Sequence, residues 1–210
     1  VLENYINWER GPKITLPEAF NKKTKKILAE GTLPSPNNNI LFGFRTPYLT
    51  KDNIQEFYLM NTILFSSKHS LLNQRLVEDQ KIVASVNDWG IDYDNGMIKA
   101  LIMALPTTPL SNIESQILKI KEDFNQLTQQ EFDAFKQNYY IDFAEGLQRN
   151  EDLADTLALF WGKYQSLDLI KELSSHPMTL TKEQIKNYIH LYWNEDNFVY
   201  IKHPQPKKDK

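Results

Sequence analysis

NTILFSSKHSLLNQRLVEDQKIVASV, residues 61–86, sets the order of everything around it: a helix end, a break at Ser66-Ser67, a second short helix, and a strand expected from Lys81. Ahead of the break, Ile54, Phe57, Tyr58, Asn61, Leu64 and Phe65 recur at helical spacing, so one face of that helix is buried. Beyond it, Leu72 and Leu76 continue the apolar stripe, while Gln74, Arg75, Glu78 and Asp79 are expected to look outward. IVASV then shifts the period toward that of a strand.

Upstream, residues 39–45 (NILFGFR) form a compact apolar run, read as a buried strand. Gly43 in its middle implies a close backbone approach or a bulge. Thr46-Pro47 ends the strand, and Thr50 or Asp52 can cap the next helix. Residues 1–38 read as an extended linker or docking segment, pinned at apolar points such as Trp8, Ile14 and Leu16. Lys22, Lys23, Lys25 and Lys26 read as a solvated face, and 31–39 (GTLPSPNNN) as a loop.

Downstream, the strand from Lys81 runs to about Tyr93, and Asp94-Asn95-Gly96 supplies a tight hairpin, since Asn-Gly tolerates positive φ. The return strand, 97–105, is apolar at almost every position, as suits a strand covered on both faces or lying at a domain junction. After Pro106 the chain is helical. Ser111-x-x-Glu114, Thr128-x-x-Glu131 and Thr181-x-x-Gln184 have the spacing of capping boxes, and Asn150 can cap a further helix. The apolar faces are Ile113, Ile117, Ile120 and Phe124; then Phe132, Phe135, Tyr139, Phe143 and Leu147; then Leu153, Leu157, Phe160, Trp161 and Tyr164. A shorter helix carries Leu167, Ile170 and Leu173, and the last carries Ile185, Tyr188, Ile189 and Tyr192. Residues 197–202 close as a strand, and 205–210 read as a disordered tail. Helices segregated from a hairpin-built sheet predict an α+β, two-layer domain over 39–204: a mainly antiparallel sheet covered by helices on one face.

The bulk numbers suit one large globular domain or two small ones, with 41% hydrophobic, 24% charged and 12% aromatic residues. A net charge of -3 gives no footprint for nucleic acid or an anionic membrane. The absence of cysteine excludes disulfides and thiolate metal sites. No run approaches the ~20 apolar residues that span a bilayer. The chain begins at Val1, which suggests a fragment of a longer product.

The strand ILFGFRTPYLT, the helix ending in NTILFSS, the segment LLNQRLVEDQKIVASV, the hairpin and the terminal YWNEDNFVYIKHPQP together resemble the M16 (pitrilysin-like, inverzincin) zinc peptidases. The resemblance covers about 39–206. It implies homologous halves that close around a peptide, one of them carrying H-x-x-E-H and a distal glutamate for zinc. That motif is missing here: His69, His176, His190 and His203 are scattered, and each reads as an ordinary surface or partly buried histidine rather than a ligand. No G-x-S-x-G or phosphate-cradling glycine loop is present either. The resemblance therefore implies the C-terminal half, zinc-free and inactive alone, with zinc on its partner.

In many relatives that half lends an arginine and, seven positions later, a tyrosine to the substrate. The matching positions hold Val77 and Ala84, which can neither pair with a carboxylate nor donate to an oxyanion. In two-subunit members the partner of the zinc subunit carries that pair, so this chain fits best as the second half of a zinc-bearing subunit. Arg45 and Tyr48 are the substitutes available for substrate binding, against the plainer reading of a surface arginine and a packed tyrosine. Arg75 is expected to pair with Glu78 one helical turn on. The implied partners are a catalytic M16 half, in the same polypeptide or another subunit, and a peptide substrate; an exported, periplasmic bacterial setting also follows from the resemblance. The alternatives are a non-enzymatic M16-like scaffold or peptide-binding subunit, and an unrelated α+β protein.

Overall fold

A computed structural model describes residues 26–30, 38–92, 96–175 and 177–203. Trp8, Ile14, Leu16, Lys22, Lys23, Lys25, the turn residues Asp94 and Asn95, His176 and the 205–210 tail lie outside the described residues.

The strands are β1 (Ile27–Glu30), β2 (Asn38–Arg45), β3 (Val83–Asp92), β4 (Met97–Ala104) and β5 (Phe198–His203). They form one mixed sheet in the order β1-β5-β2-β4-β3. The ladders β2–β4, β2–β5 and β3–β4 are antiparallel, whereas β1 runs parallel to β5. β1 thus brings part of the segment read as a linker into the sheet.

The helices are α1 (Ile54–Asn61), α2 (Leu71–Asn73), α3 (Leu110–Leu118), α4 (Ile120–Gln126), α5 (Gln129–Gly146), α6 (Asn150–Tyr164), α7 (Asp168–Ser175) and α8 (Lys182–Tyr192). α1 runs on through a π turn, Thr62–Ser66, before Ser67 turns extended, and α2 runs on through a second, Gln74–Asp79. The fold is α+β, with the helices on one face of the sheet. Inward residues alternate along β2 (Ile40, Phe42, Phe44) and β4 (Ile98, Ala100, Ile102, Ala104), as the pleat requires. Against them pack Ile54, Phe57, Leu64 and Phe65, the α3–α4 residues Ile113, Ile117, Ile120 and Phe124, and Ile185 and Ile189 of α8.

Trp193, 1% exposed, closes this layer, its Nε1 donating to Ile117 O at 2.9 Å. Its ring meets Phe42 at 5.5 Å, Phe44 at 5.2 Å and Phe198 at 5.2 Å, all edge-on. That geometry favours aromatic rings beyond the area they bury.

Several local expectations are corrected. Thr128 and Thr181 do make capping boxes with Glu131 and Gln184. Ser111 does not, because α3 starts one residue earlier, after extended Pro109, and the Glu114 carboxylate turns to Lys26. Asn150 is the first helical residue of α6, not its cap. Before α1, Thr50 does receive the entering backbone, its Oγ1 accepting from Asp52 N at 3.3 Å and its carbonyl from Ile54 N at 3.0 Å, whereas Asp52 makes no cap. The Asn53 side chain spans the same turn, accepting from Thr50 N at 2.9 Å and donating to Tyr48 O at 3.0 Å.

Lys81 is left-handed (φ 52°), so β3 begins two residues later, at Val83. Two register shifts interrupt β3 against β4. One makes Ala84 the extra residue between Val83 and Ser85, and the other falls between Asp88 and Ile91, where Gly90 has φ 82°. Trp89, within the second shift, is exposed. In the turn, Gly96 is left-handed (φ 61°), and a Cβ on it would lie 2.5 Å from Thr46 O. Gly43 marks a close approach, not a bulge: a Cβ would lie 3.0 Å from Ile98 O and from Met97 Sδ.

β4 is covered by helices on one face, not both: its inward residues are buried, while Met97, Lys99, Leu101 and Met103 are half-buried. Of the α6 residues expected inward, Phe160 is buried and Trp161 is exposed. Leu167 precedes α7 and is exposed, its expected place taken by Leu169.

Candidate functional site

The two positions that the M16 resemblance singles out fall at the end of the second helical segment and on the strand after it. Val77 lies in the π turn that extends α2, half-buried against the core, while Leu76 beside it is fully buried. Ala84 is the bulged, exposed residue of β3. Neither carries a polar side-chain atom, so the pair offers no donor to a substrate oxygen.

Arg75, two residues before Val77, does not replace it. Its Nε and Nη2 form a bidentate pair with the Asp123 carboxylate of α4, and Nη1 donates to Gln116 Oε1 at 3.1 Å. The expected pairing with Glu78 is overturned, because the helix turns Arg75 toward α3 and α4. The Asp123 carboxylate, first of all, holds the guanidinium pKa above its ordinary value. The side chains are 17% and 20% exposed, so the pair is partly withdrawn from water. Asp123→Ala should cost about 2 kcal/mol, by leaving a partly desolvated guanidinium unmatched. A denaturant midpoint shift measures it, and an unchanged midpoint would show the pair to be idle.

Arg45 ends β2, and its Nη1 donates to Asp196 O at 3.1 Å, across the entry to β5. Burial lowers its pKa. Tyr48 is half-buried in the turn that precedes α1, and its carbonyl accepts from Asn53. The two therefore share one end of the sheet, engaged with the local backbone.

The polar node that sequence reasoning missed joins α1 to β3. Asp88 Oδ2 accepts from Asn61 Nδ2 at 2.7 Å and from Ser66 Oγ at 2.7 Å, while Asp88 Oδ1 accepts from Gly90 N at 2.7 Å. Asn61 Nδ2 also donates to Ser66 Oγ at 2.9 Å. One carboxylate thereby ties the π turn to the β3 bulge. Three accepted bonds within the domain make it a structural brace. The signal in the sequence was Asn61, a polar residue on an apolar stripe; its partner 27 positions away carried none.

His69 and His190 are exposed, and His203 is half-buried at the end of β5. Among the described residues no group of three His, Cys, Asp or Glu side chains is placed to hold a metal ion. No helix of the described residues is long and apolar enough to cross a membrane.

The sheet face turned away from the described helices is partly exposed. Ladder partners share a face, which sets Leu41 beside Leu101 and Gly43 beside Lys99 and Val199. It also sets Leu41 beside Ile201, and Ile27 and Ala29 beside Val199 and Ile201. Met97 and Met103 complete a half-exposed apolar surface with Lys99, Asn39 and His203 among it.

Residues 3–139, more than half of the 210, match the family model described as Peptidase M16 inactive domain. No curated protein matches the sequence. The fold is similar to a protease from Helicobacter pylori, with TM-score 0.75 and 15% identity over 97% of this chain and 51% of that one. It is also similar to a peptidase M16 inactive domain from Pseudomonas fluorescens (TM-score 0.66, 18% identity, 97% of this chain and 47% of that one). A third likeness is to the inactive peptidase domain of a protein described as a zinc protease from Bordetella parapertussis (TM-score 0.68, 14% identity, 86% of this chain and 100% of that one). The chain spans about half the length of the first two. With the five-stranded mixed sheet, its one-sided helical cover and the family model in agreement, the chain belongs to the M16 peptidase inactive-domain family.

Proposed function

We propose that the chain is the zinc-free half of an M16-type zinc metallopeptidase, packing on a catalytic half to enclose a peptide. The observation that carries this reading is the open sheet face. A surface of Leu41, Leu101, Met103, Val199 and Ile201, with the described helices packed on the other side, is that of a layer awaiting a second one. A partner domain of similar size matches the other half of the longer relatives. Zinc and the water-activating glutamate then belong to the partner, since Val77 and Ala84 supply no reacting group. This half contributes enclosure, excluding water and folded proteins from the reaction. Arg45, at the end of β2, and Tyr48, in the turn that follows, are the residues we assign to contact with the peptide.

Val77 and Ala84 also support a second reading, a non-enzymatic scaffold or peptide-binding subunit, because a half that donates no side chain to catalysis can persist without it.

The test is the mass and zinc content of the natural gene product isolated from its source. A product roughly twice this length, as the Helicobacter pylori relative is, with one zinc per chain or per pair, is expected. A metal-free product near 24.6 kDa that restores cleavage with no co-purifying partner would sink the peptidase reading and leave the scaffold.

A further inference from the structure

β1 is held differently from every other strand. It is four residues long, lies at the sheet edge, and touches the sheet through one parallel ladder to β5, a pairing slightly weaker per residue than an antiparallel one. Ile27 and Leu28 are 46% and 56% exposed, so side-chain burial adds little. What fastens the strand is the residue before it. Lys26 Nζ lies 3.1 Å from Glu114 Oε2 on α3 and 3.1 Å from Glu195 Oε1 in the 3₁₀ turn before β5, and 5.8 Å from the centre of the Tyr200 ring. Both carboxylates raise the Lys26 pKa, Glu195 first. The lysine read as a solvated charge is a clasp between three elements.

The opposite edge is poor at accepting a strand. β3 is bulged at Ala84 and again around Trp89 and Gly90, leaving a short regular run between, a known means of blunting an edge. The β5 edge, by contrast, keeps an unbroken register from Val199 to Lys202, and the chain's own β1 fills it.

We propose that β1 is a displaceable strand, latched by Lys26, that holds the β5 edge in place of an extended peptide segment. The reading rests on the proposed peptide-enclosing role: the edge with the better ladder is available to an incoming strand only when the latch opens, and main-chain pairing then holds that strand irrespective of side chains.

Lys26→Met keeps the length of the stem and removes the charge. Alternate amides along β5 point to β1 and to β2, so the strand carries its own control. Hydrogen exchange of the β1-facing amides should quicken about tenfold, in line with losing two partly exposed charge-assisted bonds, while the β2-facing set stays as it was. Equal acceleration of both sets would make β1 an integral strand and overturn the proposal, as would no change in either.

A synthetic acetylated and amidated peptide of residues 25–31 (KKILAEG) brings its own lysine. At millimolar concentration, comparable to that of a short tether, it should restore slow exchange to the β1-facing amides of the variant. Its failure to do so would overturn the acceptor role of the edge. Neither result bears on packing against a catalytic half, which the isolated natural product tests separately.

Discussion

Phe42→Ala should lower the unfolding free energy by about 3–5 kcal/mol, a large share of what a domain of this size has. Phe42 is wholly buried at the middle of β2, the central strand of the sheet. Its ring meets Phe198 at 5.2 Å, Tyr200 at 5.1 Å, Trp193 at 5.5 Å and Phe65 at 6.2 Å. The cavity left by alanine would thus open between two strands, the π turn after α1 and the Trp193 ring. These neighbours cannot collapse into it together, because Trp193 is tethered through Nε1 to Ile117 O. Phe42→Leu, which keeps most of the volume, should cost only about 1 kcal/mol. Urea denaturation followed by circular dichroism measures both, and a loss below 1 kcal/mol for the alanine variant would contradict the central place given to this ring.

Leu101→Asp should do the opposite: little change in the stability of the domain, and a fall of about a hundredfold or more in its affinity for a catalytic half. Leu101 lies on the open face beside Leu41 and is only half-buried in this domain, so a carboxylate there keeps part of its hydration. Once a second layer covers the face, the same carboxylate has to lose its water. Its ladder neighbours, Leu41 and Asn87, carry no charge, and Lys99, two residues along the same face, offsets only part of that cost. At 1.4 kcal/mol per tenfold, a penalty of about 3 kcal/mol gives the stated loss. Titration calorimetry of the variant against the separately produced catalytic half reads the affinity, and thermal unfolding of the variant alone reads the stability. Unchanged affinity would move the docking surface elsewhere, and a collapse in stability would mean that the face is already core.

The two changes differ because β2 and β4 alternate. Among the described residues, helices cover one side of the sheet and leave the other partly exposed. The covered side carries the stability and the partly exposed side the proposed function, so substitutions one residue apart along a strand should read out in different assays.

Element identity was legible wherever the cause is local. Thr128 and Thr181 cap their helices through residues three positions away, and the stripe of Ile113, Ile117, Ile120 and Phe124, spaced by threes and fours, is buried as spaced. Hairpin chemistry at Gly96 needs only a glycine and its φ. That Val77 and Ala84 carry no side-chain donor is likewise a property of residue type, which no fold can change. Tertiary structure decided whatever depends on a partner distant in the chain. Arg75 pairs with Asp123, 48 positions on, not with Glu78, and Glu114 leaves its expected capping role for Lys26, 88 positions back. It also decided which side of the uniformly apolar β4 is core. Pleating sends alternate side chains to opposite faces, and only the placement of the helices makes one of those faces the inside.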